Sequence, residues 1–163
     1  MIRIIAEQFD PGTELSAFEE RAGDAGAIVT FVGKVRSKAD NASVNSLYLE
    51  HYAGMSEKSV LAIEAQAMAR WALSDLLIIH RFGDLLAGEP IVMVCAAAAH
   101  RRDAFEAADF VMDFLKADAM FWKKERRSDG EAWIEPREGD YNDAARWPND
   151  GRKTGKGTAG ARD

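Results

Sequence analysis

The chain has 163 residues, 47% of them hydrophobic and 29% charged, with a net charge of −6. That composition supports a domain with its own core and excludes disorder as the main state. The acidic total argues against a general nucleic-acid-binding surface, because phosphate affinity comes mainly from Lys and Arg.

The first nine residues carry no apolar run with a small-residue cleavage site, and no apolar stretch approaches the ~18 residues that span a bilayer, so a cytoplasmic protein without membrane contact is expected. Residues 2–7 read as a strand. Pro11-Gly12 reads as a turn before a short helix that Thr13 or Ser16 could cap. Residues 26–35, rich in β-branched side chains, read as a strand, followed by a polar loop over 36–43 and an alternating strand over 44–52. Apolar residues at Val60, Ile63, Ala67 and Trp71 mark an amphipathic helix that Ser56 could cap. Residues 76–90 read as a strand and a turn, and 90–99 as another strand. Phe105, Ala108, Val111 or Met112, and Leu115 form one stripe of a helix from residue 100 onward. A last strand is expected over 131–138. This order mixes hairpins and crossovers, which implies an α+β fold with a mixed or antiparallel sheet covered by helices. From Pro148 the chain has four glycines and no large apolar residue, the composition of a flexible tail, so the domain is expected over 1–147 and the tail over 148–163.

Three cationic points could carry chemistry. His100, Arg101 and Arg102 stand at the start of a helix, where free N–H groups and the dipole already favour an anion; Asp103 could equally compensate them. Lys116 and Lys123 flank Phe121-Trp122. They would share a helical face about 10 Å apart if the helix continued, or border a pocket walled by the aromatic pair if it did not. Cations converging there would depress the pKa of one lysine and free a neutral amine, whereas a solvated basic helix end would complement only its own dipole. Lys34 and Arg36 end a strand, with Val35 excluding a phosphate-binding P-loop. His51, His80 and His100 lack zinc-ligand spacing. Glu50-His51 and His80-Arg81 read as sheet residues with satisfied polar tips. The single cysteine, Cys95, lies in an apolar run and reads as a buried small hydrophobe.

Taken together, residues 26–36 (GAIVTFVGKVR), LEHY at 49–52, IHRFGDLLAGEP at 79–90, AHRRDAFEAADFVMDFLK at 99–116, FWKKE at 121–125 and WIEPR at 133–137 resemble the MoaE family of molybdopterin synthase large subunits, over about residues 1–147. The resemblance implies an α/β-hammerhead-like fold with a small extra β subdomain. It implies an enzyme, without a cofactor or metal, that moves sulfur onto cyclic pyranopterin monophosphate to make the molybdopterin dithiolene. The sulfur donor would be the C-terminal thiocarboxylate of a small ubiquitin-like partner subunit, and two large subunits would form a homodimer within a heterotetramer. On this resemblance Lys116 and Lys123 are catalytic, Arg36, His100, Arg101 and Arg137 bind substrate, and Phe31, Met112 and Glu125 line the pocket. Met120 stands where the family has proline, Asp118 where it often has arginine, and Ala53 where it usually has proline. A different class of function, a noncatalytic module that receives the extended tail of a partner along a sheet edge, would use the lysines only for steering.

Overall fold

The computed structural model of the chain describes residues 1–39, 42–117, 121–128, 130–135 and 138–147. Its elements are β1 (Ile2–Ile5), α1 (Pro11–Ala22), β2 (Ala27–Lys34), β3 (Lys38–Ala39), β4 (Ala42–His51), α2 (Met55–Arg70) and β5 (Leu73–Arg81). They continue with β6 (Gly83–Leu86), β7 (Pro90–Ala98), α3 (Arg101–Ala117), β8 (Phe121–Arg127), β9 (Gly130–Ile134) and α4 (Glu138–Ala145). The α+β architecture with a mixed sheet and a second β unit is the one expected.

The first sheet runs β1-β5-β7-β2, with β1 parallel to β5 and the other pairs antiparallel. Its central strands carry the apolar runs Leu76–Ile79 and Ile91–Ala98 because both faces are covered there. Along β5 and β7 the two-residue period sends Leu77, Ile79, Met93 and Cys95 towards Phe18 and Ala22 of α1. The alternate residues Leu76, Ile78, Val92 and Val94 face α2 and α3, where Val60, Ile63, Phe110 and Val111 meet them. Each such large apolar side chain contributes about 1.5–3 kcal/mol on full burial.

The second sheet runs β3-β4-β8-β9, with β6 also paired to β4. Its core is small: Val35, Val44, Leu47, Leu49 and Leu85, with Phe82 packed against them. Ile91 at the start of β7 packs against this core and against the one formed with α2 and α3, so it bridges the two sheets. Arg81, buried where β5 ends, donates to Glu89 at 2.9 Å and to the Pro90 and Ala6 carbonyls at 3.1 and 3.4 Å, tying this joint together.

Local chemistry differs from the sequence reading at several points. Asp10, not Thr13 or Ser16, caps α1: its carboxylate accepts from the Thr13 N–H at 2.7 Å, and Pro11 opens the helix rather than forming a turn before it. Those bonds lower the Asp10 pKa. The N-cap of α2 is Gly54, whose φ of 83° lies in the left-handed region; its N–H donates to Glu57 at 2.5 Å, while Ser56 is buried inside the helix. Trp71 follows α2 in extended conformation instead of extending its stripe. Phe105 is 61% exposed, and the buried stripe of α3 passes through Ala104, Ala107, Ala108, Val111 and Leu115. The helix ends at Ala117, so Phe121-Trp122 opens a strand, and residues 130–134 pair with it antiparallel. β3 lies in the stretch read as a loop, and α4 was not expected at all. The expected tail, 148–163, lies outside the described residues.

Candidate active site

Phe31, Arg36, Met112, Lys116, Lys123 and Glu125, drawn from β2 and its exit, α3 and β8, line one cleft of about 700 Å³. Each is placed by its own element. β2 delivers Phe31 opposite Val94, and an irregularity between Gly33 and Lys34 ends regular pairing. Backbone bonds from Val35 N–H to the Glu89 carbonyl (2.9 Å) and from Gly88 N–H to the Val35 carbonyl (2.8 Å) then hold the exit on which Arg36 stands. Met112 and Lys116 are four residues apart on α3 and share a face near its C-terminus, where the dipole favours a cation.

On β8 the period of two separates the basic cluster into two sets. Lys123, Glu125 and Arg127 line the cleft. Lys124 and Arg126 alternate with them and form ion pairs elsewhere, Lys124 with Glu131 and Arg126 with Asp84 (2.6 Å) and Glu131 (3.2 Å). Within the cleft, Arg127 and Glu125 pair at 2.7 Å.

The two lysines sit in unlike surroundings. Burial pushes the Lys123 pKa down; Asp140 opposes this and the positive charge of Lys116 adds to it. Lys116 is 54% exposed and its Nζ lies 3.4 Å from Asp140 Oδ1. Burial acts on Lys123, the lysine on the strand. His80 lines the same cleft; its ring lies 3.9 Å from that of Phe121 and nearly parallel to it. Its Nδ1, 2.8 Å from the Arg81 carbonyl, carries the proton of that bond. Burial first, then the charge of Lys123, pushes the His80 pKa down to about 4 against the opposing effect of that hydrogen bond, so at neutral pH the ring is neutral.

His100 and Arg101 are elsewhere. They line a second cleft of about 590 Å³ with Gly26, Arg102 and Phe105. Gly26 is required there, because a Cβ would come 2.3 Å from the Ala99 carbonyl oxygen. Within one chain, therefore, the His-Arg pair and the lysines occupy different clefts. Arg137, Asp118 and Met120 lie outside the described residues.

Asp140, Glu135 and Arg127 also line the first cleft and are not among the expected site residues, and His80, read as a sheet residue with a satisfied polar tip, lines it too. Arg127 was recoverable: once residues 121–127 are treated as a strand, it shares a face with Lys123 and Glu125. Asp140 sits on the unforeseen α4, and no local signal pointed to it. Among the described residues, no group of three or more His, Cys, Asp or Glu could hold a metal ion, and no helix is long and apolar enough to cross a membrane.

The comparisons with known proteins agree with one another. The family model described as MoaE protein matches residues 4–118. A molybdopterin synthase catalytic subunit from Pseudomonas aeruginosa is 49% identical over 146 residues, covering 90% of this chain and 97% of that one. The solved structure of a molybdopterin biosynthesis MoaE protein from Burkholderia ambifaria superposes with a TM-score of 0.76 at 45% identity, over 90% of this chain and 97% of that one. A solved protein–protein complex of subunits 1 and 2 of molybdopterin-converting factor from Helicobacter pylori contains a chain that matches with a TM-score of 0.71 at 25% identity, over 83% of this chain and 91% of that one. With the expected lysines, arginine and pocket walls gathered in one cleft and relatives matched over nearly their whole length, the chain belongs to the MoaE family.

Proposed function

We propose that this chain is the catalytic subunit of a molybdopterin synthase, acting in the cytoplasm as a homodimer within a heterotetramer. It receives sulfur as the C-terminal thiocarboxylate of a small ubiquitin-like subunit and transfers it to cyclic pyranopterin monophosphate, forming the dithiolene. The observation that carries this reading is the convergence of Lys116, Lys123 and Arg36 on one cleft, with one lysine inside and one at its open side. The matched Helicobacter pylori chain, solved as a two-subunit complex, supports the partner.

The roles follow from the surroundings. Arg36 suits the phosphate, since a planar guanidinium engages an oxyanion at two points. Lys116, exposed, meets the incoming thiocarboxylate and the reacting carbons, where an amine either moves protons as sulfur adds and water leaves, or attacks the acyl group. Lys123 is the amine that burial helps to deprotonate, so it suits accepting a proton from Lys116 or the substrate. Arg137 belongs with the substrate-binding residues by its motif.

His100 and Arg101, in the second cleft, reach the lysines of this reading only from another copy of the chain, which is why the homodimer is part of it. Mixing Lys116→Ala with Arg101→Ala protein tests this: shared sites restore part of the activity, whereas self-contained sites leave the mixture as inactive as its components. The principal experiment incubates the chain with a thiocarboxylated small subunit and the cyclic pterin. A dithiolene product supports sulfur transfer. Complex formation without product favours the alternative, a noncatalytic module that only holds the partner's tail.

A further inference from the structure

α4 contains no buried residue, so apolar burial does not account for its position. A polar clamp just beyond its C-terminus does. Arg146 donates to Asp109 at 2.6 Å and to Asp113 at 2.7 and 3.0 Å, and the Trp147 indole N–H donates to Asp113 at 2.7 Å. The Trp147 ring stands edge-on to Trp71 and Phe110, at 5.6 and 5.5 Å. So fastened to α3, the helix turns its first residues to the lysine cleft, where Asp140 is only 20% exposed and pairs with Lys116. An ion pair with one half-exposed partner contributes only ~0–1 kcal/mol to stability, a small return for a helix held this way.

We propose that Asp140 is a positioning residue of the lysine site, holding the Lys116 ammonium beside Lys123. The inference rests on the reading of these lysines as the reacting pair. Two ammonium groups in one cleft repel each other, and a carboxylate facing both offsets that repulsion. Its charge favours the protonated form of Lys123, while burial and Lys116 favour the neutral form. Among the described residues, the other charged or titratable groups lining the cleft are Lys34 and Arg36 from the β2 side, His80 from β5, Glu125 and Arg127 paired on β8, and Glu135 beyond β9. Asp140 comes from the one element whose placement depends on the clamp.

The test is a lysine side-chain NMR titration of the full chain, with ¹³C-labelled lysine and Lys123→Arg for assignment. In Asp140→Asn the Lys123 midpoint moves to lower pH, and in Asp140→Glu it returns towards the wild-type position. Turnover, measured in parallel, shows the acid limb of its pH profile moving in the same direction for Asp140→Asn. The melting temperature of Asp140→Asn falls by no more than ~4 °C, the shift expected for loss of ~1 kcal/mol. An unchanged Lys123 midpoint in Asp140→Asn overturns the proposal, as does a variant that fails to fold, since the residue would then be structural. The titration needs neither partner nor pterin, so its failure is distinguishable from failure of the sulfur-transfer reading, which the dithiolene assay decides.

Discussion

The two sheets of this molecule are built on opposite terms. From Leu76 to the end of β5 and along all of β7 but Ile91 the side chains are buried, on both faces, and apart from Pro90 and the buried His80 and Arg81 these residues are Leu, Ile, Val, Met, Cys and Ala. In β8 the first residue, Phe121, is buried and the following six are Trp, Lys, Lys, Glu, Arg and Arg, none of them buried. The first sheet derives its stability from apolar area. The second holds its cations in pairs around a small apolar core, and its cleft face keeps one lysine partly desolvated. The candidate cleft lies where the two meet: β2, β5 and α3 supply Phe31, His80 and Lys116, and β8 supplies Lys123, Glu125 and Arg127.

That division can be broken most sharply at the lysines. If Lys116 and Lys123 must exchange protons, Lys116→Arg and Lys123→Arg each lower turnover by ~10²-fold or more, because a guanidinium keeps its proton while losing nothing as an anion partner. Circular dichroism and melting should stay near wild type. Near-full activity in both arginine variants would reduce the lysines to fixed cations.

The opposite signature is expected in the first sheet's core. Phe110→Ala removes a fully buried ring and costs ~3–5 kcal/mol of stability by urea denaturation, whereas Trp122→Ala, on the exposed side of β8, stays within ~0.5 kcal/mol. Comparable losses at the two positions would mean that the second sheet is packed like the first.

His80 sits where the regions meet and adds a pH dependence to stability. Its folded pKa of about 4 lies below the ordinary 6.5, so between those values the unfolded chain binds the proton and the folded chain does not. The contribution is therefore full above about pH 6.5 and lost as the pH falls towards about 4, by ~3 kcal/mol at ~1.4 kcal/mol per unit. His80→Phe, which keeps a ring against Phe121, should show a correspondingly flatter stability profile over that window; an identical slope would mean that His80 does not titrate with folding.

The smallest effect belongs to the tail. Truncation after Trp147 should leave melting and turnover almost unchanged, since residues 148–163 contain no large apolar side chain to bury. A fall of many degrees would show that the tail docks on one of the sheets.

Much of the first sheet was legible in the chain itself. Runs such as Leu76–Ile79 and Ile91–Ala98 have no alternative to burial, and β-branched residues in Ile28–Val35 leave little doubt about strand. The lysines were legible as chemistry, through the unusual placing of cations around an aromatic pair in an acidic protein and through the family resemblance. Their geometry was not. Spacing alone allowed a shared helical face, and only the end of α3 at Ala117, with β8 paired to β4 and β9, moved Lys123 onto a strand whose cleft face it shares with Glu125 and Arg127. Phe105 shows the same limit: helical period identifies a stripe, but packing decides which of two adjacent stripes is inward, here the one through Ala104, Ala107 and Val111. Sequence determined composition, strand runs and the candidate reactive groups, because these depend on local chemistry and short periods. Tertiary structure decided that Asp140 answers Lys116 and that His100 and Arg101 face a different cleft, because charges far apart in sequence interact according to distance and burial, which only the folded chain sets.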